Sequence, residues 1–174
     1  MKQSDILKIK KDLPNFPDKV VEIWLLPFCN KFGWPPGGTD NWESVLMYKP
    51  KQWWQNVDWN KKNLKFSDLK LSKNYDDCTD NMARNFLSKE DRITVDEVKR
   101  IKSVKNFLTK NLRVPEPIIV IETERGYDIA DGNHRIAGVK SFLRDGLVKD
   151  VDIDVWVAVS TSRSDLFKNH DFAW

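Results

Sequence analysis

Apolar residues recur at Val98, Ile101, Val104, Leu108 and Leu112, a spacing that places them on one stripe of a helix, so ITVDEVKRIKSVKNFLTKNL is the clearest helix in the chain. Thr94 followed by Glu97 predicts a capping box at its start. Arg100, Lys102 and Lys105 fall off the stripe and read as a solvated face. Pro115 and Pro117 end the helical region, and IIVIET then runs apolar without a break, as a strand buried on both faces does. ERG turns into GYDIA, so 118–123 and 127–130 are expected to pair as a hairpin. HRIAGVKSFLRDG predicts a second helix, with Gly146 just beyond its last turn. VDIDVWVAVS alternates strictly, with Val151, Ile153, Val155, Val157 and Val159 on one face of a closing strand. Upstream, LKFSDLKLS alternates as a first strand, and NYDDCTDN after it reads as a polar loop rich in carboxylates. The order strand, helix, hairpin, helix, strand predicts an α+β class with an α/β mixed sheet.

The first part of the chain has a different vocabulary. Six of the eight tryptophans, Trp24, Trp34, Trp42, Trp53, Trp54 and Trp59, fall there, with PPGG at 35–38. PDKVVEIWLLPF predicts a short helix with Pro17 in its first turn and Pro27 near its end. NWESVLMY and KQWWQNVDW read as further short helices around Pro50. Large aromatics of this kind let short helices dock as a core. They also offer a stacking wall for a base or sugar, with Lys49, Lys51, Lys61 and Lys62 nearby. The boundaries expected are a Trp-rich, mainly helical extension over 1–62 packed on the core, the α/β domain over 63–160 and a tail over 161–174.

Composition narrows the classes. A chain of 174 residues, 40% hydrophobic, builds one ordinary domain with a real core and an extension. A net charge of +3 without a long basic run permits nucleic-acid binding and does not require it. Cys29 and Cys78 stand far apart, with no CxxC spacing and no histidine pair, so neither a zinc site nor a disulfide framework is indicated and a reducing cytoplasm is expected. MKQSDILKIKKDLPNFPDK has no apolar core of a signal peptide, and no apolar run reaches about 18 residues, so no membrane association is expected.

One stretch carries candidate chemistry. YDIADGNHRIAGVK places DGNHR between a strand and the first turn of a helix, where unpaired N–H groups and the helix dipole favour an anion. Gly132 lets the chain turn closely around a ligand, Arg135 offers a planar fork of donors, and His134 adds a donor whose charge changes near neutral pH. Asp131 repels a bare phosphate unless Mg²⁺ or a substrate hydroxyl lies between them. The same residues also make an ordinary turn, in which Asp131 or Asn133 caps the helix.

The succession of LKFSDLKLS, the amphipathic helix, PIIVIE, the GYDIADG turn and the helix start with Arg135 resembles the ParB/sulfiredoxin-like superfamily over 63–160. Within it, the G-C-H-R phosphate turn of sulfiredoxins is similar to Gly132, Asn133, His134 and Arg135, with Asn133 where the reactive cysteine stands; the resemblance therefore implies no sulfiredoxin activity. The G-E-R-R turn of ParB proteins matches less well, because His134 and Ala137 stand where arginines do. The D-G-H-T-R turn of free serine kinases shares Asp131, Gly132 and Arg135.

The resemblance implies ATP or another NTP as cofactor, with Mg²⁺. Gly132, Asn133, His134 and Arg135 would bind the nucleotide, and Asp131, His134 and Asp68 would be catalytic. Asp131, Asp76 and Asp77 would hold the metal, with Asp80 a further candidate carboxylate. The function implied is an NTP-dependent phosphotransferase or NTPase acting on a small molecule or nucleic acid. A DNA-binding protein or ParB-like nuclease, and a non-catalytic partner-binding module, are the alternatives. The single Lys/Asn-rich domain also suits a bacteriophage protein. His170 and the hairpin charges Glu122 and Glu124 are expected to be structural or exposed.

Overall fold

The computed structural model describes residues 2–35, 45–85 and 94–161. Trp42, most of PPGG and His170 lie outside them. The chain divides into two compact units, Met1–Asn60 with Val157–Trp174, and Lys61–Trp156.

In the first unit, α1 (Lys2–Asp12) is followed by α2 (Asp18–Val20), a π turn (Val21–Leu25) and α3 (Leu26–Phe32). The expected stop at Pro27 does not occur. Pro27 has no N–H to donate, and it sits in the first turn of α3, directly after the widened turn in which Leu26 N–H bonds Val21 O. Of NWESVLMY, the described part is a turn in which Met47 and Tyr48 take positive φ. KQWWQNVDW divides: α4 (Lys51–Gln55) ends at Asn56 and a strand begins at Val57.

Ile9, Leu13, Phe16, Val20, Val21, Leu25 and Trp54 are fully buried and Trp24 nearly so. Phe16 meets Trp59 edge-on at 4.8 Å between centroids, and Trp24 meets Trp54 at 5.1 Å. Trp54 Nε1 donates to Leu46 O at 2.8 Å, and Trp34 Nε1 to Asp12 Oδ2 at 3.0 Å. Trp24 and Trp54 are thus core rings whose neighbours are other rings, which answers the packing half of the expectation.

The sheet has four strands in the order β1-β4-β2-β3: β1 (Val57–Lys65), β2 (Ile118–Thr123), β3 (Gly126–Asp131) and β4 (Asp152–Ser160). This is the mixed α/β arrangement that the pattern predicts. β2 and β3 pair antiparallel, with Val120 opposite Ile129 and Ile119 opposite Asp131. Ile118, Ile119, Val120 and Ile121 are all buried, as an unbroken apolar run requires of a strand covered on both faces. In β4 the alternation holds through Val157, after which Ala158 is buried and Val159 only half so.

Two expectations fail before β2. The first strand takes in only Leu64 and Lys65 of LKFSDLKLS and lies otherwise upstream of it, and Phe66–Asp68 is a 3-10 turn. Only Leu71 of the later part bridges to a strand, at Tyr127. NYDDCTDN is no loop: it lies in α5 (Lys73–Asn85), whose buried residues Thr79 and Ala83 are one helical turn apart.

α6 (Val95–Asn111) and α7 (Asn133–Arg144) complete the second unit. Ala83 of α5, Ile101 of α6 and Ala137 of α7 meet in one buried cluster, with Met82 and Val98 packed against it. Gly138 lets α6 and α7 touch: a Cβ there would lie 2.7 Å from Val104 Cβ. Leu112, expected on the buried stripe, closes α6 in the left-handed conformation (φ 50°) and is exposed. Among the described residues, no helix is long and apolar enough to cross a membrane.

Candidate functional site

β3 delivers the chain to DGNHR, and packing fixes the turn there. Gly132 precedes α7 with φ 119° and ψ 12°, a conformation that side chains resist. A Cβ on it would lie 2.6 Å from Ile118 Cγ2, so glycine is needed for the strand end to close onto β2. Ile136 N–H makes the first helical bond, to Gly132 O at 3.0 Å. No side chain caps this end, although Asp131 and Asn133 were both eligible. α6 differs: Thr94 Oγ1 accepts from Glu97 N–H, and Glu97 Oε2 accepts from Thr94 N–H at 2.6 Å, the box that the sequence predicts.

Two buried side-chain atoms in the first turn of α7 have no hydrogen-bond partner among the described residues: Asn133 Oδ1 and His134 Nε2. Glu97 Oε1 is the carboxylate facing the imidazole, and at 3.8 Å it is too distant for a hydrogen bond. Arg100 stands one helical turn beyond Glu97 and also acts on His134. Burial first, and then the Arg100 charge, lowers the His134 pKa, against the opposing pull of Glu97 and Asp131. The imidazole is therefore neutral at neutral pH. The Glu97 carboxyl is held low, chiefly by the Thr94 backbone and hydroxyl hydrogen bonds.

Asp131 and Arg135 form an ion pair one turn apart across Gly132, and Arg135 Nη1 also reaches Glu116 Oε2 at 3.3 Å. Burial raises the Asp131 pKa and outweighs the lowering effect of Arg135. The guanidinium, expected to face a phosphate, is thus engaged by two carboxylates and clamps the turn to the segment before β2.

The other expected carboxylates lie elsewhere. Asp68 is exposed on the 3-10 turn. Asp76 accepts from Lys140 Nζ at 2.6 Å, Asp77 from Lys73 Nζ at 2.5 Å, and Asp80 pairs with Arg84 and Arg144. Among the described residues, no three His, Cys, Asp or Glu side chains gather where they could hold a metal. Asp131, Asp76 and Asp77 therefore form no protein-built Mg²⁺ cage. A magnesium ion held mainly by phosphate oxygens needs none, requiring as little as one carboxylate from the protein.

The chain matches no family model, curated protein or solved structure with which it was compared. The site is thus read from its own geometry. Gly132, Asn133, His134 and Arg135 do come together at one helix start, as expected. Glu97, Arg100 and Glu116 join them unforeseen. The capping box was a visible signal for Glu97, but it marked a helix end and gave no sign of what Glu97 faces. Arg100 is exposed, as its place off the apolar stripe predicts, and its charge reaches His134 because α7 packs beside α6.

An uncapped first turn with an unpartnered His134 nitrogen fits a phosphate oxygen, which accepts from both backbone N–H groups and imidazole.

Proposed function

We propose that this chain is a nucleotide-binding protein of the ParB/sulfiredoxin-like kind, with the nucleotide's phosphates on the first turn of α7. The observation that carries the reading is the buried His134 Nε2, without a hydrogen-bond partner among the described residues, at an uncapped helix start. Buried polar atoms are rarely left unanswered, because each costs about 1–3 kcal/mol. Here a phosphate would accept from His134 Nε2 in its protonated tautomer and from the backbone of the first turn. Arg100, on the neighbouring helix, adds positive charge beside them.

The reaction class this supports is phosphoryl transfer or nucleotide hydrolysis, the bound nucleotide supplying the transferable group. In that scheme Arg135 is a positioning residue, holding Asp131 and Glu116 so that the turn keeps its shape. Asp131, kept near the phosphates with a raised pKa, is the group placed to orient an accepting hydroxyl. Asn133 in place of a thiol leaves no sulfur for the reduction of a sulfinic acid.

Calorimetry with ATP, CTP and GTP in the presence of Mg²⁺ tests the reading. At least one is expected to bind the wild type, and His134→Ala is expected to weaken it about tenfold, the loss of one hydrogen bond to a charged group. Absence of binding by all three nucleotides would remove the proposal.

A further inference from the structure

A phosphate at the α7 turn leaves the sugar and base of a nucleotide to be held by neighbouring surface. A cleft of about 320 Å³ opens between the C-terminal part of α6 and the segment that leads into β2. Phe107, Asn111, Arg113, Val114, Pro115, Glu116, Pro117 and Asp154 line it. Its rim is joined to the α7 turn, because Glu116 is the residue that Arg135 Nη1 contacts at 3.3 Å. Gly132 in turn lies against Ile118, directly after the cleft-lining segment.

The chemistry of the lining is selective. Phe107 is 40% exposed, an aromatic face available on the surface of α6, and Pro115 and Pro117 add flat apolar surface. Asn111 uses its Nδ2 to donate to Phe107 O at 2.9 Å, which leaves its Oδ1 as an acceptor. Arg113 is bound to Asp154, so its charge is answered within the cleft, and Glu116 adds a further carboxylate. A flat apolar wall with an excess of acceptors suits a planar ring that carries N–H donors. It does not suit a second anion.

We propose that this cleft holds the nucleobase of the nucleotide whose phosphates lie at the α7 turn, and that it prefers a base with an exocyclic amino group, adenine, cytosine or guanine, over uracil. The proposal rests on the phosphate reading and adds a location and a base preference to it. Phe107 supplies the stacking face. Asn111 Oδ1 and Glu116 are the acceptors for the amino group.

The test is calorimetry on the full chain with ATP, CTP, UTP and inorganic tripolyphosphate, each with Mg²⁺, against wild type, Phe107→Ala and Phe107→Leu. ATP or CTP is expected to bind wild type about tenfold more tightly than tripolyphosphate or UTP, and both variants are expected to lose most of that advantage. Phe107→Leu preserves bulk, so it serves where Phe107→Ala fails to fold. Equal binding of all four ligands would overturn the base site and leave the phosphate turn standing. An advantage for ATP or CTP that survives in a folded Phe107 variant would overturn the location. If neither a nucleotide nor tripolyphosphate binds, the phosphate reading falls and takes this inference with it.

Discussion

The two ends of α7 are built by opposite rules. Over its later turns, every cation has an answer within the second unit: Lys140 donates to Asp76 O and Oδ1, and Arg144 pairs with Asp80. At its first turn the helix lacks a side-chain cap, Asn133 Oδ1 and His134 Nε2 have no partner among the described residues, and Gly132 holds a conformation that other residues resist. One end is a structural network whose groups satisfy each other. The other leaves donor and acceptor capacity unused among the described residues, and it is where the proposed phosphate would bind. Charge alone would have ranked them wrongly, since the lysine, arginines and aspartates of the later turns are the more crowded set.

The sharpest way to break this contrast is at Gly132. Gly132→Ala places a Cβ against Ile118 in a left-handed conformation, and it is expected to lower stability by about 2–4 kcal/mol, read as a fall in melting temperature. A variant as stable as wild type would mean that the turn is looser than described. Next comes the cap that α7 lacks and α6 has. Thr94→Ala is expected to lower stability by about 1 kcal/mol in urea denaturation, with its effect on ligand affinity confined to the placement of Glu97.

At the satisfied end, Asp80→Asn is expected to change stability by less than about 1 kcal/mol and to leave nucleotide affinity unchanged, because its partners are partly exposed. A large loss of affinity in that variant would show that the two ends are not separable.

The smallest effect is a pH dependence. The folded His134 pKa lies below its usual value of 6.5, so as pH falls from that value the unfolded chain takes up the proton first. Stability present above about pH 6.5 is therefore lost as pH falls toward the folded pKa, by less than about 1.4 kcal/mol per pH unit, the limit for one proton. His134→Gln is expected to flatten that part of the melting profile between pH 5 and 7, taken in steps of about half a unit. A profile identical to wild type would assign the slope to other groups.

Much of the second unit was legible in the sequence because its signals are local. The Thr94–Glu97 box, the apolar run of β2, the hairpin and the α7 start are each set by residues within a few positions of one another. β1 and α5 were hidden for physical reasons. Val57–Lys65 has only Val57 buried, and its lysines mask the alternation. α5 buries small residues, Thr79 and Ala83, with Met82 packed beside them, so its inner face is not conspicuously apolar. Its helical signal lay instead in the pairs Lys73–Asp77 and Asp80–Arg84, each spaced by four residues. At the site, DGNHR was visible as a turn, but the engagement of Arg135 by Glu116, nineteen positions earlier, arises only when β2 and β3 pair.

The central claim is that the first turn of α7 receives phosphate. The most direct measurement is the backbone amide NMR spectrum of the full chain titrated with Mg-ATP. The account predicts that the amides of Asn133, His134 and Arg135 shift together and saturate, while those of Lys140 and Arg144 stay in place. Saturable binding with those three amides unmoved would contradict it.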